Sequence, residues 1–179
     1  EIRKATPQYA GITYRRIERE GIHWPCPSED HPGTPILHAG KIARGKGLLV
    51  PVEYRPPQET PDSNYPFALI TGRNYYHYHT GTMTRRSKVS SHYVPEPFVE
   101  INPADAQELG IADGDLVRIV SRRGQIEARA KVSERVKKGE IFSTFHFSEA
   151  RVNLLTTDQM DPVAKIPELK VCAVKISKA

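Results

Sequence analysis

Apolar side chains in the second half of the chain follow the two patterns that β-strands produce. Residues 67–70 and 98–101 are short runs rich in apolar side chains, which is typical of buried strands. Residues 125–132 alternate instead, so one face of the predicted strand carries Ile126, Ala128, Ala130 and Val132. Further strands are predicted at residues 116–120, 140–147 and 171–176.

One compact helix signal interrupts these strands. Asn102 is a good N-cap, Pro103 suits the first helical position, and Gly110 is well placed to end a helix of about two turns. Residues 122–124 (Arg-Arg-Gly) predict a hairpin turn between two of the strands. Many short strands with one or two short helices indicate a mainly β fold, built as a small β barrel.

The first 64 residues lack this periodicity. Prolines and glycines are concentrated at residues 24–27 (Trp-Pro-Cys-Pro), 31–35 (His-Pro-Gly-Thr-Pro) and 45–47 (Gly-Lys-Gly). Because proline fixes φ and glycine weakens regular elements, we expect extended, irregular chain that packs on another surface. The predicted organisation is an extended inter-domain segment and linker at residues 1–64, followed by a β-barrel domain at residues 65–179.

Composition narrows the class of protein. Apolar runs are only a few residues long, so neither a membrane span nor a signal-peptide core is predicted. Cys26 and Cys172 are too few for a disulfide framework, an iron–sulfur cluster or a four-cysteine zinc site, and they indicate reduced thiols in a cytoplasmic protein. The net charge of +5 favours an anionic partner, which charge alone leaves open as nucleic acid, a membrane surface or a phosphorylated cofactor.

The densest polar segment, residues 71–86, directly follows the first predicted barrel strand. Glycines let its backbone approach a ligand, and Arg73 can clamp a phosphate in bidentate fashion. Threonine hydroxyls can donate to phosphate oxygens, at Thr71, Thr80, Thr82 and Thr84. The pattern is neither a Walker A loop nor a dinucleotide fingerprint. It is consistent with an anion cradle and equally with a polar surface loop.

Three other polar clusters are weaker candidates for a functional site. His77 and His79 share a face if extended, but no third ligand stands at convincing spacing, so hydrogen bonding to a ligand or aromatic packing is favoured over a metal. The basic residues at 85–88, with neighbouring tyrosines, can bind single-stranded nucleic acid, although a solvated basic loop is the simpler interpretation. Asp113 and Asp115 are typical of turn chemistry rather than of a general acid–base pair.

Taken together, several motifs resemble the α subunits of molybdenum- or tungsten-dependent formate dehydrogenases. The resemblance covers essentially the whole chain and is carried by residues 24–27, 31–35, 45–54, 71–86, 161–168 and 170–174. It implies a C-terminal domain folded as a double-psi β barrel, preceded by an extended, irregular N-terminal segment. It also implies that the domain binds molybdopterin guanine dinucleotide together with the other, N-terminal domains of the same subunit.

The same resemblance implies a set of cofactor-binding residues. These are Thr71, Gly72, Arg73, Asn74, His77, His79, Thr80, Gly81, Thr82, Phe145, His146, Asn153 and Lys170. It implies no catalytic residue and no metal ligand in this chain, because the family's four-cysteine motif and its metal-ligating cysteine or selenocysteine have no counterpart here. We therefore expect part of an oxidoreductase that converts formate to CO2, inactive when isolated, with electron-transfer subunits as further partners and with neither nucleic acid nor membrane.

Two alternatives remain open from the residues. The chain can be a separate small subunit that binds the same cofactor, as in a formylmethanofuran dehydrogenase. It can also be a double-psi-barrel module that binds a partner without any cofactor, since fold does not settle function. Stabilisation by a guanine nucleotide separates the cofactor-binding interpretations from the interaction module.

Overall fold

The computed structural model describes residues 1–179 as two compact units, Glu1–Tyr54 and Arg55–Ala179. The first unit contains two single-turn helices, α1 (Ile2–Ala5) and α2 (Tyr14–Ile17), with a 3-10 turn at Pro7–Tyr9. The rest of this unit is irregular, as its prolines and glycines predict. The helices were not predicted, because four residues are too few to show helical periodicity.

The Arg16 side chain connects several backbone segments of the first unit. Its guanidinium donates to the carbonyl oxygens of Gly11 at 2.7 Å and His31 at 2.8 Å, and it approaches the Cys26 sulfur at 3.3 Å. Backbone hydrogen bonds join Cys26 to both Gln8 and Gly11 at 2.8 Å. A segment with little apolar periodicity is therefore organised by one arginine that satisfies several backbone carbonyls.

The second unit is a closed six-stranded barrel. The strands are β1 (Phe67–Gly72), β2 (Phe98–Ile101), β3 (Leu116–Val120), β4 (Gln125–Val132), β5 (Glu140–Thr144) and β6 (Val171–Lys178). They run in the order β1-β5-β2-β4-β3-β6 around the barrel. Two neighbouring pairs are parallel, β1 with β5 and β2 with β4, and the other pairs are antiparallel. The double-psi β barrel expected from the sequence is confirmed.

The barrel interior is built by the alternating apolar positions. Along β4 the buried residues are Ile126, Ala128 and Ala130, which is the face that the sequence predicted. Leu69, Ile141 and other fully buried aliphatic side chains of the facing strands fill the same core. Closing the sheet leaves no unpaired strand edge, so every strand contributes side chains to one continuous interior.

Two short helices flank the barrel strands. Helix α4 (Pro103–Glu108) begins as predicted, with the Asn102 side chain accepting a hydrogen bond from the Ala104 N–H at 3.0 Å. Helix α3 (Lys88–Tyr93) was not predicted, because it is largely polar and presents no apolar stripe. All of the helices fall short of the length and apolar character that a membrane-spanning helix needs.

Residues 55–64 are grouped with the barrel in the second compact unit. The reason is Glu59, whose side chain is only 14 % exposed and accepts two hydrogen bonds from Arg123 and one from the Ala173 N–H on β6. Arg123 also donates to the Leu155 carbonyl at 2.8 Å. The Arg123 guanidinium holds the pKa of Glu59 below its usual value. The charged side chain of Glu59 thus fixes residues 55–64 to the barrel. Their sequence contains no apolar pattern from which this contact could be predicted.

We expect Glu59→Gln to lower the free energy of unfolding by about 1–2 kcal/mol at pH 7, because the charge-assisted hydrogen bonds lose their carboxylate. The lowered pKa of Glu59 means that this stabilisation is present above about pH 4.5 and is lost as the pH falls through the folded-state value. Urea unfolding at pH 7 and in acid measures both effects. Glu127→Gln, which removes an exposed carboxylate paired with Arg118, is the matched control and should cost less than about 0.5 kcal/mol. Equal losses for the two variants would contradict the buried clamp.

Candidate functional site

The candidate site lies at one end of the barrel, where three chain segments meet. Because β1 and β5 are parallel, with Gly72 opposite Thr144, the loops that follow them leave the barrel side by side. Strand β6 is antiparallel to β1, with Ile70 opposite Val171, so the residues that precede β6 arrive at the same end. This topology brings the polar segment 71–86 together with residues 145–153 and with Lys170.

A cleft of about 550 Å³ opens between the first two of these loops. Its lining includes Thr80, Gly81, Thr82, Phe145, His146 and Asn153 from the set expected to bind a cofactor. The remaining lining residues are Arg85, Arg86, Phe147, Ser148, Arg151 and Val152. Sequence reasoning did not identify Arg151 or Phe147, since their proximity to segment 71–86 depends on strand pairing. We call this space the histidine cleft.

Lys170 and His79 join the edge of this site through Phe145. The Lys170 ammonium stands 5.8 Å from the Phe145 ring centroid, and the His79 ring packs edge-on at 5.7 Å. Thr71 does not offer its hydroxyl to a ligand, because that group is buried and donates to the Leu169 carbonyl at 2.5 Å. Thr71 therefore fixes the segment before β6. The exposed hydroxyls in the cleft lining are those of Thr80, Thr82 and Ser148, and the Ser148 hydroxyl is hydrogen-bonded to Arg85 and Glu149.

Arg73 and Asn74 lie elsewhere. They line a second cleft, beside Phe142 and the buried Glu100, and do not line the histidine cleft. The Asn74 side chain accepts a hydrogen bond from the Tyr76 N–H at 2.9 Å, which shapes the turn after β1. Gly72 is required here, since a Cβ atom would stand 2.5 Å from the Phe142 ring. Six of the expected residues thus line the histidine cleft, and two line the second cleft.

A pair of stacked imidazoles lies at the histidine cleft, which His146 lines. The rings of His77 and His146 are 4.4 Å apart and inclined by only 23°. Both residues are buried, yet neither ring nitrogen of His146 has a hydrogen-bond partner, and the nearby Thr144 hydroxyl is also unpaired. Burial, with His77 and Arg85 adding to it, lowers the pKa of His146 to about 4. Its imidazole is consequently neutral at pH 7.

Positive charge gathers in the same cleft. Arg85 pairs with Glu149 at 2.5 Å, and this hydrogen bond lowers the pKa of Glu149. None of the ion pairs includes Arg86 or Arg151, so two exposed guanidinium groups remain available to an anion. The cleft therefore combines unpaired cations with a neutral, unpaired imidazole.

The donor set fits an anionic ligand with a polar heterocycle better than it fits a metal ion. No group of three His, Cys, Asp or Glu side chains is placed to hold a metal. Burial raises the pKa of the Cys172 thiol to about 11, whereas a metal ligand must be a thiolate. Orphaned buried polar atoms are rare in native structures, and those of His146 mark a place where a ligand can supply the missing hydrogen bonds.

Comparison with known proteins agrees with this chemistry. Residues 67–173 match the family described as the Molydopterin dinucleotide binding domain. The chain is 57 % identical, over 99 % of its length, to the F420-dependent formate dehydrogenase subunit alpha of Methanocaldococcus jannaschii. It is 42 % identical, over 98 % of its length, to the assimilatory nitrate reductase catalytic subunit of Bacillus subtilis. It spans only 27 % and 26 % of the length of these relatives.

The fold has counterparts among solved structures. Acetylene hydratase from Pelobacter acetylenicus matches 71 % of this chain and 21 % of its own, with a TM-score of 0.61 and 18 % identity. At that identity the match concerns the fold alone.

We expect Gly81→Ala to destabilise the chain more than Gly110→Ala. Both glycines have positive φ, at 74° and 65°, so each alanine should cost about 1 kcal/mol in the left-handed region. A Cβ atom at Gly81 would also stand 3.0 Å from Arg85 Cγ and 3.3 Å from His146 Cβ, whereas Gly110 faces open space. Urea unfolding of the two variants isolates the contact. An equal loss would show that the loop does not press on His146.

Proposed function

The chain belongs to the Molydopterin dinucleotide binding domain family, and we propose that it holds molybdopterin guanine dinucleotide as part of a formate dehydrogenase α subunit. The observation that carries the proposal is the histidine cleft, where two unpaired guanidinium groups stand beside a neutral imidazole without partners. Arginine is suited to phosphate oxygens, and an uncharged imidazole is suited to the edge of a heterocycle. A dinucleotide of a pterin presents both chemistries in one molecule.

We assign the cofactor-binding role to the residues that line or border this cleft. Arg86 and Arg151 would neutralise the pyrophosphate, with the Thr80 and Thr82 hydroxyls donating to the same oxygens. Lys170 lies near the cleft edge above Phe145 and adds a further positive charge. Arg73 and Asn74, in the second cleft, would reach a different part of the ligand.

The metal-ligating residue is proposed to lie outside this chain. Cys172 is a buried, neutral thiol in β6, and Cys26 is fully buried beside Arg16 in the first unit. Neither sulfur borders the histidine cleft. The bound cofactor, through its molybdenum or tungsten, would supply the two-electron conversion of formate to CO2. This chain's own residues would bind and orient the ligand and neutralise its phosphates. The free thiols also support a cytoplasmic location.

Formate is the proposed substrate because of the relatives. The Methanocaldococcus jannaschii protein and a Methanococcus maripaludis protein that is 49 % identical are both named F420-dependent formate dehydrogenase alpha subunits. The nitrate reductases are more distant, at 42 % identity and below. We extend the formate assignment to this chain on that ranking, with electron-transfer subunits as further partners.

We further propose that the remaining domains of the same subunit cover an exposed segment of the first unit, residues 35–54. Every residue of this segment is exposed, including Leu48 at 88 %, Leu49 at 93 % and Val52 at 86 %. Contiguous exposed apolar side chains of this kind mark an interaction surface. No acidic residue occurs from 31 to 52, while Lys41, Arg44 and Lys46 fall within it, so the covering surface should be apolar with an acidic rim.

Thermal unfolding with GDP tests the cleft. We expect millimolar GDP to raise the unfolding midpoint of the chain, because a ligand that binds only the folded state stabilises it. Arg151→Ala should weaken GDP binding by about tenfold through loss of a charge-assisted contact with phosphate. Lys137→Ala removes the same charge from an exposed turn that precedes β5, at the opposite end of that strand, and should leave binding unchanged. Equal weakening by both variants would reduce the effect to net charge and count against the cleft.

Trypsin digestion tests the exposed segment. When the chain is joined to the remaining α-subunit domains, we expect cleavage at Lys41, Arg44 and Lys46 to slow at least tenfold, since buried backbone is a poor protease substrate. Leu49→Asp should restore cleavage in the joined protein, whereas Val163→Asp, at an equally exposed position of the barrel unit, should not. Undiminished cleavage in the joined protein would remove this segment from the interface.

A further inference from the structure

His77 is fixed in place by hydrogen bonds at both of its ring nitrogens. Nε2 lies 3.2 Å from the Val94 carbonyl oxygen, and Nδ1 lies 3.2 Å from the Thr84 hydroxyl. A carbonyl oxygen can only accept, so the proton resides on Nε2. Thr84 in turn accepts from the Tyr78 N–H at 3.1 Å and directs its own proton to Nδ1. Both nitrogens of His77 are therefore already used within the protein.

The ring nitrogens of His146, in contrast, have no hydrogen-bond partners. The ring is stacked on His77, with the centroids 4.4 Å apart, and contacts the tilted ring of Phe147 at 4.0 Å. The Arg85 guanidinium lies over the Phe147 ring, 5.1 Å from its centroid. Packing alone keeps the imidazole in this position, and its two buried polar atoms oppose that packing. The ring lines the cleft but keeps both nitrogens shielded from it.

We propose that His146 is stored without hydrogen-bond partners against His77, and that it turns to pair with the uncharged pterin end of the dinucleotide when the ligand enters. His77 is then a positioning residue and makes no contact with the ligand. The inference rests on the proposed function, because that cofactor supplies the uncharged heterocycle. Its pterin and its guanine present the same 2-amino-4-oxo edge of donors and acceptors, so the effect of His146→Phe on binding of a pterin and of GDP tells which of the two meets His146. A neutral imidazole offers one donor and one acceptor, which match such an edge.

The charges around His146 favour an uncharged partner for it. Burial and the Arg85 guanidinium oppose a proton on the ring, and only Glu149, already paired with Arg85, favours one. Phosphate would instead be bound by Arg86 and Arg151, which lack acidic partners. Recognition is thus divided between a neutral element for the heterocycle and a cationic element for the phosphates. The unpaired ring nitrogens of His146 lower the stability of the free chain, and their hydrogen bonds to the ligand stabilise the complex.

The decisive variant is His146→Phe in the full chain, which keeps a stacked ring and removes the unpaired nitrogens. We expect the thermal midpoint without ligand to rise, because unsatisfied buried polar atoms are gone. Binding of 6-hydroxymethylpterin, followed by fluorescence, should weaken at least tenfold, while GDP binding stays unchanged. A residue with only a structural role would not move stability and binding in opposite directions. Wild-type pterin affinity in His146→Phe overturns the inference.

Two measurements address His77. Thr84→Val removes the hydrogen bond to Nδ1 without changing the ring, and it should broaden the tautomer population of His77 in ¹⁵N NMR spectra and weaken pterin binding about threefold to tenfold. His92→Gln, on the exposed face of α3, is the control and should change neither quantity. In the free wild-type chain, ¹⁵N spectra that show a hydrogen-bonded His146 would contradict the storage arrangement.

The two probes separate this inference from the proposed function. If the wild-type chain binds GDP but not the pterin, the dinucleotide site stands and the role of His146 falls. If it binds neither probe, the proposed function itself is contradicted. If it binds both, and His146→Phe loses only the pterin, both proposals are supported.

Discussion

The site depends on one structural constraint, the parallel pairing of β1 with β5. This pairing sets Thr71 opposite Ser143 and Gly72 opposite Thr144, so two loops distant in sequence leave the barrel at the same level. In an antiparallel arrangement the same loops would lie at opposite ends, and His77 could not stack on His146. The glycines at 72 and 81 allow the chain after β1 to lie close to neighbouring side chains. A Cβ atom at Gly72 would meet Phe142, and one at Gly81 would meet Arg85 and His146.

Much of the barrel could be predicted from the sequence, because its signals are local. The alternation along β4, the apolar run of β1 and the Asn102 cap each depend on neighbouring residues, and the structure confirms them. The helices that were missed are short and polar, with no periodicity to reveal them. The anchoring of residues 55–64 was also missed, because it depends on Glu59 reaching Arg123, a contact far apart along the chain.

The sequence could predict which types of residue form the candidate site, but it could not predict their positions and hydrogen-bond partners. Segment 71–86 contains the hydroxyls, glycines and histidines of a binding loop, and the resemblance extended the set to Phe145, His146 and Asn153. Only the fold shows that Thr71 and Thr84 use their hydroxyls internally, at Leu169 and His77, and that Arg73 faces a second cleft. Hydrogen-bond partners are tertiary facts, and residue type alone does not distinguish a free donor from an engaged one.

Closure of the barrel also determines how the domain folds during its synthesis. Strands β1 and β6 close the barrel, with Phe67 opposite Val174, so the pairing joins positions near both ends of the unit. Loop-closure entropy must be overcome before such distant contacts stabilise anything, which places this topology among slow folders. A nascent chain whose last strand is still inside the ribosome presents β1 and β3 as open edges, which are templates for association. Only after β6 has been synthesised and paired with β1 and β3 is the barrel without open strand edges that other chains could pair with.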